Sequence, residues 1–321
     1  MKKLIILIVL SVGIFSHSAW SQQLWRRTQF AINPFLVNPA IAGTENQIPL
    51  YISYRNQWTG FKGAPTTMLA SGHMQGPSNS GFGAILQRDD TGGAISRTGV
   101  EAVGAYHFEL NNSDAISFGL GISANQFKID NSKLVVVDET DIALNNMQAE
   151  TSINIDANFG MIMYGSNYYF GFSAPNLLQT NLKVGILDEE ENRNRRHYHF
   201  VGSYTYDISE MFDIQGSGLI KMTNSTPIQL DMNVRVGFKK MAWSSITVRP
   251  KDAIAFSLGG IYQNVMLGYS IDLTTSPAKV MSPFTHEVMI GYVIPGKRGK
   301  YIARSNIRKK SFSKKRVIKR K

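Results

Sequence analysis

From Tyr51 to Ile294 apolar residues recur at every second position in one segment after another. Ile116, Phe118, Leu120 and Ile122 interleave with Ala115, Ser117, Gly119 and Gly121. Ile153, Ile155, Phe159 and Met161 interleave with Asn154, Asp156, Asn158 and Gly160, and Ile228, Leu230, Met232, Val234 and Val236 with Gln229, Asp231, Asn233, Arg235 and Gly237. Near the end Val265, Leu267, Tyr269 and Ile271 alternate with Met266, Gly268, Ser270 and Asp272, and Val288, Ile290 and Tyr292 with Glu287, Met289 and Gly291. Side chains of a strand point alternately to its two faces, so each segment predicts a strand with one apolar and one polar or small face. No helical period competes over a comparable length. Alternation alone also describes a soluble β-sandwich. Length separates the two. Many of these segments run ten residues or more, against roughly five or six for an ordinary strand and ~9–11 for a tilted membrane strand.

Fourteen such segments are legible, starting near residues 50, 65, 81, 96, 113, 151, 167, 197, 210, 226, 241, 252, 263 and 284. Even-numbered ones end in short turns: Asn111-Asn112-Ser113, Gly165-Ser166-Asn167, Asp207-Ile208-Ser209, Lys239-Lys240 and Gln263-Asn264. The long connections, about 128–149, 174–196 and 274–283, all follow odd ones. Outer-membrane barrels sort their loops in this way, with short turns periplasmic and long loops extracellular. The expected fold is all-β: a transmembrane, antiparallel, up-and-down β-barrel of about 14 strands with a disordered basic C-terminal tail. An even strand count predicts both termini on the periplasmic side.

The start of the chain supports export. Lys2 and Lys3 precede an apolar run from Leu4 to Phe15, then Ala19-Trp20-Ser21 places small residues around a cut before Gln22. This is the order of a secretory signal peptide, and the run is too short for a spanning helix, which needs ~20 residues. The chain has no cysteine, which excludes a lipoprotein, a disulfide framework and thiolate metal ligands. The expected organisation is a signal peptide over 1–21, an N-terminal periplasmic segment over 22–48, an integral outer-membrane barrel over 49–294 and a basic tail over 295–321.

Charge changes the picture only at the end. The formal net charge is +11, but residues 297–321 hold thirteen of the 34 Lys and Arg and no Asp or Glu. The remainder, 21 basic against 23 acidic residues, is nearly neutral. The tail includes Arg308, Lys309, Lys310, Lys314, Lys315 and Arg316. Nucleic acid would bind such a run, but an exported chain rarely meets it. Anionic headgroups or acidic partner surfaces in the periplasm fit better, at ~1 kcal/mol per basic residue near a membrane.

No constellation of catalytic residues stands out, and the expectation is a protein that is not an enzyme and needs no cofactor or metal. His197 and His199 share a strand face, as two metal ligands could, but no third ligand is placed by sequence. Ser71 and His73 also share a face, without a nucleophile elbow or matching acid. Asp138, Glu139 and Asp141, and Asp188 to Glu191, are acidic clusters without calcium-loop spacing; solvation or divalent bridging to lipopolysaccharide suits them. The 28 glycines fall mostly within strands, where they suit a lumen-facing side.

Two motifs carry a resemblance. One is Asn38-Pro39-Ala40-Ile41-Ala42-Gly43; the other runs Tyr54-Arg55-Asn56-Gln57-Trp58-Thr59-Gly60-Phe61-Lys62-Gly63-Ala64-Pro65. Together with Gly81-Phe82-Gly83, Phe170 to Leu178, Arg196-His197-Tyr198 and Thr285-His286-Glu287, they resemble the PorP/SprF family of outer-membrane proteins across residues 30 to 294. The resemblance implies a type IX secretion component that supports export and surface anchoring of a gliding adhesin or another substrate with a type B C-terminal domain. It further implies other secretion-system subunits, with periplasmic ring and peptidoglycan-binding proteins, as partners beside outer-membrane lipid and lipopolysaccharide. The tail departs from the family pattern, and peptidoglycan-associated proteins are its expected partners. Read physically, Tyr54 and Trp58 suit an interfacial aromatic girdle, and Gly60, Gly63 and Pro65 a tight connection. Arg55 and Gln57 fall on the opposite, lumenal face, where arginine usually satisfies internal carboxylates. The alternative function is a passive porin or solute channel. A porin's lumen would carry opposed charge rings, whereas the lumen-facing positions here are rich in Gly, Ser, Asn and Ala. A barrel hydrolase has least support.

Overall fold

The computed structural model describes residues 28–133, 150–182, 193–224 and 226–295. The expected signal peptide, all of the expected basic tail except Pro295, and both acidic loop clusters lie outside these residues. Seven strands form the first half: β1 (Gln47–Asn56), β2 (Thr66–Gln75), β3 (Ser80–Thr91), β4 (Ile95–Glu109), β5 (Asp114–Ile129), β6 (Glu150–Gly165) and β7 (Tyr168–Ala174). Seven more complete the described chain: β8 (His197–Asp207), β9 (Phe212–Thr223), β10 (Thr226–Phe238), β11 (Ala242–Arg249), β12 (Ala253–Tyr262), β13 (Val265–Thr274) and β14 (Phe284–Pro295). Each pairs antiparallel with its sequence neighbours, and β14 returns to β1 from Gln47↔Pro295 through Asn56↔His286. The sheet closes on itself, as a wall in hydrocarbon requires, although β6 pairs with β7 only from Phe159 to Tyr164.

All fourteen expected strands are present, each starting within three residues of its sequence-based estimate. Connections after even strands have two to four residues, and the four long ones, 57–65, 130–149, 175–196 and 275–283, follow odd strands. The alternation sorts as the pattern predicts. On β5 and β6, Leu120, Ile122, Ile153 and Ile155 face outward, with Ile153 70% exposed, while Ser117, Ser123, Asn154 and Asp156 are buried inside. The outer wall is a hydrocarbon-facing surface. The inner wall is polar.

The structure departs from expectation before β1. Residues 22–48 were expected as a periplasmic segment outside the barrel, but the described part up to Ala42 is packed within it. Two single 3-10 turns, Pro34–Leu36 and Pro39–Ile41, fold this stretch compactly. Phe30, Phe35, Ala40 and Ile41 are almost wholly buried, against Leu69, Ile85, Val103, Ala105, Ala115 and Ile162 of the wall. Complete burial of a large apolar side chain contributes ~1.5–3 kcal/mol relative to exposure, and a solvated segment would forgo it. The apolar core of this barrel is therefore at the centre of its lumen, between the wall and a plug.

Candidate functional site

The plug crosses the lumen from one end to the other. At its described N-terminal end Thr28 sits among side chains near the long-loop ends of four strands: Arg55 of β1, Arg249 of β11, Asp272 of β13 and Glu287 of β14. Its backbone N–H donates to Glu287 Oε2 at 3.0 Å, and its hydroxyl donates to Asp272 at 2.9 Å. The same hydroxyl oxygen accepts from Arg55 Nη1 and Arg249 Nη2, each at 2.7 Å. The charges also pair with one another. Arg55 reaches Asp272 at 2.8 Å and Glu287 at 3.1 Å, and Arg249 reaches Asp272 at 2.8 Å. Asp272 is 2% exposed, and a carboxylate so placed is tolerable only because two guanidinium groups and a hydroxyl surround it.

Further along, Asn33 donates to Ser71 Oγ of β2 at 2.8 Å. Asn38 donates to the carbonyl oxygens of Met161 in β6 (3.2 Å) and Phe172 in β7 (2.9 Å). Its side-chain oxygen accepts from the Ala40 N–H at 2.9 Å, capping the second 3-10 turn. Ser173 donates to the Val37 carbonyl at 2.6 Å. Near the short-turn end the Gly43 N–H donates to His73 Nδ1 at 3.2 Å. His107 Nε2 lies 3.0 Å from the Ala42 carbonyl and Nδ1 3.0 Å from the Tyr164 hydroxyl. A carbonyl can only accept, so Nε2 carries a proton.

Glycine on the wall admits the plug backbone. A Cβ on Gly119 would stand 2.6 Å from Ala40 Cα, and one on Gly81 would collide with the Ala42 carbonyl. Gly160 likewise makes room for the Asn38 side chain. Asn38-Pro39-Ala40-Ile41-Ala42-Gly43 thus has a physical reading: a capping asparagine, a proline at the start of a tight turn, small residues against a glycine-lined wall, and Gly43 at φ +79°.

The second motif divides in two. Tyr54 and Arg55 lie in β1, Tyr54 outward and Arg55 in the clasp around Thr28. Gln57, Trp58, Gly60, Phe61, Gly63 and Pro65 fall beyond the strand, in the β1–β2 connection. Gln57 therefore shares no strand face with Arg55. The connection folds over the start of β14: the Trp58 N–H donates to Thr285 Oγ1 at 3.0 Å and the Thr59 N–H to the Phe284 carbonyl at 2.8 Å. Trp58, Gly60 and Gly63 all have positive φ, near 54°, 97° and 81°, the conformation that glycine adopts without strain.

The residues weighed for chemistry have structural work. Ser71 and His73 anchor the plug. His197 and His199 are buried side by side with ring centroids 6.4 Å apart, and among the described residues no group of three metal-ligating side chains forms. Sequence reasoning missed the plug and the partners Asp272, Glu287 and Arg249. A signal was present: Phe30, Ile32, Phe35 and Val37 are too apolar for a solvated periplasmic segment.

The plug leaves a chamber on each side. Towards the long loops its floor is Phe35 to Pro39 and its walls include Gln87, Arg97, Glu101, Asn125, Asn158 and Lys221. Asn154, paired with Asn125 across the β5–β6 ladder, is buried with both amide atoms unpartnered. Towards the short turns Ala31, Ile32 and Glu45 face Asn167, Asp213 and Arg235. Both chambers carry charged and amide side chains on their walls.

Among solved structures the chain is similar to the Ralstonia pickettii toluene transporter TbuX, at 8% identity and TM-score 0.49 over 82% of this chain and 93% of that one. It is also similar to a Pseudomonas aeruginosa FadL homologue, at 7% identity and TM-score 0.45 over 78% and 90%. A third likeness is the KdgM porin, at 11% identity and TM-score 0.36 over 75% and 98%. At such identities nothing about cargo passes from those barrels to this one. No curated protein matches. The family model described as "Type IX secretion system membrane protein PorP/SprF" matches residues 19–292, from before the plug almost to the end of β14, and the chain belongs to that family.

Proposed function

We propose that this outer-membrane barrel serves type IX secretion as a platform and not as a conduit: it supports export and surface anchoring of a secreted substrate and catalyses no reaction. The observation that carries this reading is the occupied lumen. A passive porin needs a continuous aqueous path, whereas here Phe30, Phe35 and Ile41 are packed against the wall inside the lumen, with a chamber on either side. The chamber on the long-loop side, with its amide-rich walls, and the β1–β2 connection over β14 are the surfaces a substrate would meet first. The substrate class is the one the family resemblance implies, a gliding adhesin or another protein with a type B C-terminal domain. Links to periplasmic ring or peptidoglycan-associated proteins belong to the basic tail, through attraction to acidic surfaces or anionic headgroups.

Deletion of the gene tests the reading. Loss of specific proteins from the medium and cell surface, with small-solute uptake unchanged, is expected. Reduced uptake with an intact secreted proteome would establish the porin instead, as would steady conductance of the purified protein in planar bilayers. Tagged protein purified from outer membranes, with and without residues 297–321, identifies the partners: secretion-system subunits should be retained, and those lost with the tail are the ones it holds.

A further inference from the structure

We propose that three connections at the long-loop end form one docking surface for a polypeptide outside the cell, one that sets carboxylates around an apolar patch. They are 57–65 after β1, 250–252 after β11 and 275–283 after β13. Hydrogen bonds tie them to one another and to the start of β14. Ser282 Oγ donates to the Thr59 carbonyl at 2.7 Å, the Thr59 N–H to the Phe284 carbonyl at 2.8 Å, and the Trp58 N–H to Thr285 Oγ1 at 3.0 Å. The N–H groups of Thr275 and Ser276 donate to the Asp252 carbonyl at 2.8 and 3.2 Å. A surface held in this way has little conformational freedom left to lose on binding. On it stand apolar side chains that the fold does not bury. Val280 closes the 3-10 turn Pro277–Val280 and is 88% exposed, and Phe61, Leu273, Met281 and Phe284 are exposed with it. Phe61 and Val280 each stand two residues from the Thr59–Ser282 contact, and Leu273 faces Phe284 across the β13–β14 ladder.

Lipid does not account for these side chains. One row of the outer wall runs Tyr54, Val288, Tyr269, and the next row towards the long loops runs Asn56, His286, Ile271. The Tyr269 hydroxyl lies 2.6 Å from His286 Nδ1. Tyrosines with an amide and an imidazole beside them mark the boundary between hydrocarbon and water. Phe61, Leu273, Val280, Met281 and Phe284 all lie beyond that boundary, where a cluster of exposed apolar side chains marks a protein-binding surface. Charge gives the partner's chemistry. Lys62, Lys251 and Lys279 are exposed on the same three connections, against one acid, the half-buried Asp252. Carboxylates on the partner are therefore attracted and lysines repelled. Phosphates of the outer leaflet would satisfy the lysines but offer nothing to Val280, Met281 and Phe61. The inference rests on the secretion reading for the source of the partner, a substrate held at the cell surface.

The test uses the tagged, full-length barrel purified from outer membranes, and scores the proteins that vanish from the cell surface when the gene is deleted. Three variants are compared with the parent: Lys62→Glu, Lys251→Glu and Lys279→Glu combined; Val280→Asp; and, as a control at the short-turn end, Lys239→Glu with Lys240→Glu. The triple reversal should cut the amount retained per barrel about tenfold, because like charges facing across an interface repel. Raising the salt concentration should weaken retention by the parent, since exposed charges are screened. Val280→Asp should lower retention with the barrel present at its usual level, and the control should match the parent. Full retention by the triple variant overturns the proposal, as does an equal loss in the control. Loss of the Val280→Asp barrel from the membrane, with retention per barrel intact, assigns the patch to lipid and also overturns it. A deletion strain that loses no surface protein sinks the secretion reading and the docking surface together; a loss there with full retention by the triple variant sinks the docking surface alone.

Discussion

Thr28→Val removes one hydroxyl from the plug and leaves every wall residue in place. That oxygen accepts from Arg55 and Arg249 at 2.7 Å each and donates to Asp272 at 2.9 Å. Hydrogen bonds to charged groups contribute ~1.5–3 kcal/mol apiece. Part of the loss is recovered, because both guanidinium groups still contact Asp272 at 2.8 Å and the Thr28 N–H keeps Glu287. A net cost of about 3 kcal/mol is therefore expected, and at 1.4 kcal/mol per tenfold it raises the population with the plug end undocked about a hundredfold. Amide hydrogen exchange followed by mass spectrometry, on protein in nanodiscs, reads this local opening. Peptides covering residues 28–46 should exchange about a hundredfold faster in the variant, while those of β4, β5 and β6 keep their protection. Thr28→Ser retains the hydroxyl and should behave as the parent. Exchange of the plug within about threefold of the parent in Thr28→Val would refute the reasoning, and would mean that apolar packing of Phe30 and Phe35 holds the segment without the clasp.

Four other outcomes follow from the same geometry. Gly119→Leu must push the backbone of Pro39 and Ala40 off the wall at a cost of ~1–3 kcal/mol; hydrogen exchange of the plug should rise, while Gly104→Leu, which meets nothing within 4 Å, leaves it unchanged. Asn38→Ala leaves two wall carbonyls without their donor and should lower the thermal unfolding midpoint, at a cost of ~1–3 kcal/mol. Arg235→Met leaves Asp213, its partner at 3.2 Å, buried and unpaired, for ~3–5 kcal/mol of lost stability in denaturant titration, most of which Asp213→Leu in the same chain should restore. Phe118→Arg places a charge on the outward face of β5, between paired β4 and β6, and should cost ~2–4 kcal/mol, read as impaired bilayer assembly.

The wall was legible in the sequence because each of its determinants is local. A residue on β5 or β6 faces lipid or lumen according to its parity, and alternation states that parity without reference to any other strand. Short turns such as Lys239-Lys240 and Gln263-Asn264 mark the hairpins in the same local way. The lumen was not legible to the same degree. Arg55 was placed inside by parity, and carboxylates were expected to meet it. Nothing in the order of residues selects Asp272 and Glu287, more than two hundred positions away, from the other acids. Gln57 shows the opposite failure: its parity suits the lumen, but the strand has already ended at Asn56.

By itself the sequence determined that a closed, membrane-facing sheet of fourteen strands forms, because burial in hydrocarbon demands alternation and complete backbone pairing, and both are written residue by residue. Only the tertiary structure decided what fills that sheet. The segment from Thr28 to Gly43 has no period that marks it as a plug. Its apolar residues find partners, and its backbone finds Gly81 and Gly119, only once fourteen separate strands have been brought around it.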